Sequence, residues 1–244
     1  MNAMSCSHCR AHGRRGFLRW SGAAVAALGS GLWASTVHAV VLSKAKRDAM
    51  SPEQILEQMK KGNQRFRQGR RESRDFLAQQ RLTAQGQYPA PVLLTCIDSR
   101  APAETIMDLG IGDIFNSRVA GNVANEDILG SLEFACKVAG AKVVLVRGHT
   151  ACGAIKGAID NVELGNLTGL LAKIKPAVKA TDYGGARTAG NYEFVDAVAR
   201  TNVALTMVDI RSRSAVLREL ETDGAIKIAG AMYDLQNGAV DFFP

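Results

Sequence analysis

Two runs of this chain are apolar without alternation, Val92-Leu93-Leu94-Thr95-Cys96 and Val143-Val144-Leu145-Val146, and helical patterns lie between and after them. A strand that is apolar on both faces must be covered on both faces. A parallel sheet between helical layers does this, and a half-solvated antiparallel sheet does not. Further strands are predicted over Ile114–Arg118 and Ala225–Tyr233, with Asn237-Gly238 turning the chain back into an antiparallel Ala239–Phe243. Helices are predicted from Pro52 to about Gly69, Arg74–Ala84, a short turn at Ala101–Glu104, Asn125–Ala139, from Cys152 onward, Leu167–Ile174, Asn191–Asp209 and Ser214–Leu220. The order predicts an α/β fold: a central, mostly parallel β-sheet flanked by helices, with an N-terminal helical arm at about 52–85 and a C-terminal antiparallel hairpin. The arm must lie against the body or a partner subunit. Sheets of this kind place their sites beyond the carboxyl ends of the strands.

The first 39 residues read as a targeting segment. Arg10, Arg14, Arg15 and Arg19 stand without an acid, an apolar Gly/Ala-rich stretch runs from Trp20 to Ala34, and Val37-His38-Ala39 suits a signal-peptidase cut. Arg14-Arg15-Gly16-Phe17-Leu18-Arg19 resembles the twin-arginine export motif. That predicts a bacterial protein handled by the twin-arginine export machinery and delivered, already folded, to the periplasm or beyond. An ordinary secretory signal or a basic amphipathic tail is the alternative. The stretch is too short and glycine-rich for a membrane span, so no stable membrane insertion is expected after processing. The whole chain is formally +7, but residues 40–244 carry 26 basic and 23 acidic residues. That balance argues against a nucleic-acid or anionic-membrane partner. With no linker in it, the segment 40–244 reads as one catalytic domain.

Cysteine and histidine carry the functional signal. Cys6 and Cys9 belong to the targeting segment, and Cys136 lies in a helical apolar pattern as a small buried hydrophobe. An odd count of three in the remainder argues against a disulfide framework. Cys96 follows one strand, and His149 and Cys152 follow another in Gly148-His149-Thr150-Ala151-Cys152-Gly153, where His149 is the sole histidine after residue 39. Two thiolates and an imidazole form a soft three-ligand set suited to zinc, with a fourth position left for chemistry. A structural zinc, or cysteines simply packed in the core, are the competing readings. Alternation along an extended Cys96-x-Asp98-x-Arg100 sends all three side chains to one side. Asp98 then either ligates the metal as a fourth ligand in a closed state, or pairs with Arg100 and accepts a hydrogen bond from metal-bound water.

These motifs resemble the β-class carbonic anhydrases. Cys96-Ile97-Asp98-Ser99-Arg100 is similar to that family's Cys-x-Asp-Ser-Arg segment, and Gly148–Gly153 to its Gly-His-x-x-Cys-Gly segment. Gly112-Asp113-Ile114-Phe115, Ala120-Gly121-Asn122, Ser131–Ala135 and Gly230-Ala231-Met232-Tyr233-Asp234 follow it too, so the resemblance spans roughly residues 52–243. It implies one zinc per subunit on Cys96, His149 and Cys152, an Asp98–Arg100 dyad, and substrate contacts from Gln87, Phe115 and the Gly153 N–H. The implied reaction is reversible hydration of carbon dioxide to bicarbonate and a proton, by attack of zinc-bound hydroxide, with Asp98 the first proton acceptor. Leu93 stands where the bicarbonate-regulated branch has tryptophan, which favours the open-site branch, while Phe134 replaces a tyrosine common there. The resemblance also implies a homodimer or homotetramer, and the strand at Ala225–Ala231 is a candidate for extending the sheet between subunits. Hydrolysis of carbonyl sulfide or carbon disulfide, or a non-catalytic zinc-binding module, remain as other readings.

Overall fold

The computed structural model describes residues 40–243, so the targeting segment with Cys6 and Cys9 lies outside the described residues. After a short α1 (Lys44–Ala49), Ser51 starts α2 (Pro52–Arg67) through a reciprocal cap. Its hydroxyl accepts from the Gln54 N–H, and the Gln54 side chain accepts from the Ser51 N–H. Such a cap contributes about 1 kcal/mol. The stripe Ile55, Leu56, Met59 is buried against Leu93, Val143, Leu145 and Ala229 of the sheet. Each of those large side chains contributes roughly 1.5–3 kcal/mol by burial. The first half of the predicted arm is therefore docked on the chain's own sheet. The second half, α3 (Phe76–Thr83), buries only Gln79 and leaves Phe76, Leu77 and Leu82 exposed.

Five strands form one sheet in the order β2-β1-β3-β4-β5, with β1 Pro91–Thr95, β2 Phe115–Arg118, β3 Val143–His149, β4 Lys227–Tyr233 and β5 Val240–Phe243. All neighbouring pairs are parallel except β4–β5. Side chains alternate across it as the continuous apolar runs require. Val92, Leu94, Val144 and Val146 face one core, while Leu93, Val143 and Leu145 face the other. The first core is covered by α9 (Tyr192–Arg213), which buries Phe194, Val195, Val198, Val203, Met207 and Ile210. The second is covered by α2, which also meets α4 (Ala103–Ile106) closely. A Cβ on Gly62 would stand 1.9 Å from the Met107 carbonyl oxygen.

β4 is bonded to β3 from Lys227 to Tyr233 but to β5 only from Gly230 to Tyr233, so among the described residues no strand pairs with the outer side of Lys227–Ala229. One expectation needs correction. The helix expected over Asn125–Ala139 is α5 (Glu126–Glu133) followed by a wide π turn, Phe134–Val138. That extra residue per turn swings Phe134 and Val138 into solvent while Cys136 stays buried. The helix expected over Leu167–Ile174 is α7 (Gly165–Ala172), and a further helix, α8 (Lys175–Ala180), follows it with Pro176 suited to its first turn. The last helix, α10 (Ala215–Thr222), and α6 (Gly153–Ile159) fall close to expectation.

Candidate metal centre

Register brings the ligands together. Thr95 of β1 lies beside Arg147 of β3, so Cys96 leaves β1 at the level where β3 runs on to His149. Three residues after His149, Cys152 precedes the first turn of α6. The nitrogen of His149 and the sulfurs of Cys96 and Cys152 lie within 4.8 Å of one another, and all three residues are buried.

The donor set fits a metal ion. His149 Nδ1 faces the Thr150 carbonyl oxygen at 2.9 Å, while its Nε2 is buried without a hydrogen-bond partner. A buried polar nitrogen without a partner costs free energy that a bound cation would recover. The adjacent Cys152 side chain, with His149 and the N–H groups of Gly121 and Asp98, outweighs burial and lowers the Cys96 pKa. Cys96, with burial, raises that of Cys152. Cys136 has no such partner, and burial alone pushes its thiol up to about 12.

The segment after Cys96 does not continue extended as expected. It turns at Ser99-Arg100, and the Arg100 N–H donates to Asp98 Oδ1 at 2.9 Å. An aspartate that bonds the backbone two residues on closes its own turn, which strict alternation along a strand leaves out. The Arg100 guanidinium then folds back onto Asp98, Nε to Oδ1 at 3.0 Å and Nη2 to Oδ2 at 2.7 Å. These bonds, led by the side-chain ones, pull the Asp98 carboxyl down to about 2. Its Oδ2 lies 3.8 Å from His149 Nε2, bordering the ligand cluster.

Two arginines that sequence reasoning passed over hold this loop. Arg118 donates from Nε to the Cys96 carbonyl at 3.0 Å and from Nη2 to the Asp98 carbonyl at 2.6 Å. Arg147, 1% exposed, donates to the Ala101 carbonyl at 2.7 Å. Arg118 was within reach, since it ends the predicted strand Ile114–Arg118 two residues before Ala120-Gly121-Asn122. Arg147 read simply as the end of an apolar strand.

Gly153 is exposed at the first turn of α6, with open space around its α-carbon. Gln87 and Phe115 are not brought to the cluster. Gln87 is exposed, four residues before β1 begins, and Phe115 pairs with Val92 at that same end of the sheet. Five strand residues at about 3.3 Å each put this end roughly 16 Å from Cys96. The Phe115 ring packs edge-on against Phe134, with centroids 6.4 Å apart.

Residues 91–240 match the family model described as carbonic anhydrase. Carbonic anhydrase 2 of Mycobacterium tuberculosis is 32% identical over 186 residues, 74% of this chain and 87% of that protein. Among solved structures, the β-carbonic anhydrase CafA of Aspergillus fumigatus is similar at TM-score 0.59 and 27% identity, covering 67% of this chain and 79% of that one. A structure from a study of two tetrameric β-carbonic anhydrases of Sordaria macrospora is similar at TM-score 0.58 and 25% identity, over 66% and 83% of the respective chains.

Proposed function

This chain belongs to the β class of the carbonic anhydrases, and from that membership we propose that it catalyses the zinc-dependent, reversible hydration of carbon dioxide to bicarbonate and a proton. One observation carries the reading: the buried Cys96–His149–Cys152 cluster, with an unpartnered imidazole nitrogen, stands beside an aspartate held by arginine. Zinc on two thiolates and an imidazole supplies a Lewis acid that brings the pKa of a bound water toward neutrality. Asp98, kept ionised by Arg100, accepts a hydrogen bond from the attacking water and so turns its lone pair toward the carbon. The Gly153 N–H is free to donate to an oxygen of bicarbonate. The released proton passes by way of Asp98 to water and external buffer, since no other histidine follows residue 39.

A homodimer or homotetramer is part of the proposal. Gln87 and Phe115 stand at the far end of β1 from their own ligands, so they serve as substrate contacts across a subunit boundary. The exposed Phe76, Leu77 and Leu82 of α3 offer apolar surface for such a partner, and the Sordaria macrospora relatives are tetrameric. We also propose export through the twin-arginine route to the periplasm, supported by Arg14-Arg15-Gly16-Phe17-Leu18 and the apolar stretch after it. Among the described residues no helix is long and apolar enough to cross a membrane.

Stopped-flow hydration of carbon dioxide by the purified chain, with zinc measured on the same sample across pH, tests the reading. Fast turnover that tracks zinc content supports it. Stoichiometric zinc without turnover at any pH overturns it and brings forward other small heterocumulenes, or a binding role.

A further inference from the structure

Two side chains of α9 grip the backbone beside the ligands without touching a ligand atom. Asp196 Oδ1 accepts from the Ala151 N–H at 2.7 Å. Ala151 lies between His149 and Cys152 and has φ of 54°, a left-handed conformation that costs an alanine roughly 1 kcal/mol. It persists because something outside the turn holds it. Asn202, 3% exposed, donates from Nδ2 to the Gly121 carbonyl at 2.8 Å. The N–H of Gly121 in turn points at the Cys96 sulfur, 3.4 Å away. Gly121 has φ of 69°, and a Cβ there would meet Ile174 Cδ1 at 2.5 Å, so the backbone amide alone fills this position. Six residues of helix separate Asp196 and Asn202, about 9 Å along the axis. One rigid element therefore holds both the His149–Cys152 segment and the Ala120–Asn122 turn that faces Cys96.

A buried asparagine on the apolar face of a long helix is a costly placement unless its hydrogen bond is needed. The same helix side packs Val198, Val203 and Met207 into the core, so an apolar residue would have filled the position.

We propose that α9 is the clamp of the metal centre: Asp196 and Asn202 are positioning residues that hold the His149–Cys152 segment through Ala151 and, through Gly121, the turn whose N–H faces Cys96, and so set how long zinc is retained. The inference rests on the zinc reading of the cluster. Groups that orient metal ligands in this way are worth 10–100-fold in affinity.

The test is the rate of zinc release from the purified full chain into excess chromophoric chelator, together with the sulfur-to-metal absorption of the cobalt-substituted protein. Asp196→Ala and Asn202→Ala should each release zinc about 10–100-fold faster, with a shifted cobalt band. Asp196→Asn keeps an acceptor oxygen and should return to within about threefold of wild type, whereas Asn202→Asp, of equal shape but with no donor, should not. This isosteric pair carries the test if the alanine variants do not fold. Release within about twofold of wild type in both alanine variants, or in Asn202→Asp, would overturn the clamp. Wild-type protein lacking stoichiometric zinc overturns the zinc reading and the clamp together; zinc-replete wild type with unchanged variants overturns the clamp alone.

Discussion

Asp98 and Arg100 are joined at both carboxylate oxygens, Nη2 to Oδ2 at 2.7 Å and Nε to Oδ1 at 3.0 Å. The Arg100 side chain is 57% exposed, so the pair adds little to stability and acts by orienting Asp98. Asp98→Asn should lower kcat/KM by about 10²-fold or more with zinc content unchanged. Arg100→Lys should also lose activity, because an ammonium cannot reproduce the two-pronged contact. Stopped-flow assays and metal analysis on the same samples check this; loss of zinc in step with activity would sink it.

Replacing a ligand has a different signature. Cys96→Ser should reduce bound zinc to background and abolish turnover, while Cys136→Ser, which alters an isolated buried thiol, should keep both. Exhaustive chelation of the wild type should give the same inactive state, reversed by added zinc. Metal analysis separates the outcomes.

Gly62 reverses a familiar sign. Glycine to alanine inside a helix ordinarily gains up to about 1 kcal/mol. Here the new Cβ would stand 1.9 Å from the Met107 carbonyl oxygen, and α2 must move off α4. Gly62→Ala should therefore lose roughly 1–3 kcal/mol, read from denaturant midpoints. An unchanged or raised midpoint would contradict the close approach.

Asp108 is fully buried and accepts hydrogen bonds from Arg65, Arg74 and the Glu72 N–H. Burial raises its pKa, but the bonds from Arg65 and Arg74 outweigh burial and leave it below the ordinary value. A folded-state pKa below the unfolded one gives stability that is present above about pH 4 and is lost as pH falls through the folded value. Asp108→Asn should thus lose roughly 3–5 kcal/mol at neutral pH. Its gap from wild type should narrow below about pH 4. Urea midpoints at neutral and acid pH would show whether it does.

Gln87 and the ligands lie at opposite ends of β1, which makes subunit mixing informative. Cys96→Ser and Gln87→Ala chains, each impaired alone, should regain activity when unfolded and refolded together. Mixed oligomers then contain sites with intact ligands and an intact Gln87 from the neighbour. Activity no greater than the sum of the separate parents would mean that Gln87 does not act across a boundary.

The strands and ligands were legible because both signals are local and chemically narrow. Val92–Leu94 and Val143–Val146 admit few environments, and Cys96, His149 and Cys152 have few uses at strand ends. What escaped depends on pairing and packing between distant segments. Asn237-Gly238 announces the return of β5, but nothing near it says that the returning strand pairs with only Gly230–Tyr233 of β4. The turn at Asp98 depends on a carboxylate choosing its own backbone over continued extension. Asp196 looks like any acid at the start of an amphipathic helix until α9 is laid over the sheet and its oxygen meets Ala151. Gln87 sits near Cys96 in sequence and at the other end of the strand in space.

The ligands come from chain positions 96, 149 and 152, and they meet only where β1 and β3 lie side by side. Before that pairing, His149 and Cys152 offer an ion two donors, and the third is separated from them by a long, unclosed loop. A three-donor site therefore exists only once β1 and β3 are paired. A chain that retains zinc has been proofread: its β1–β3 pairing is complete.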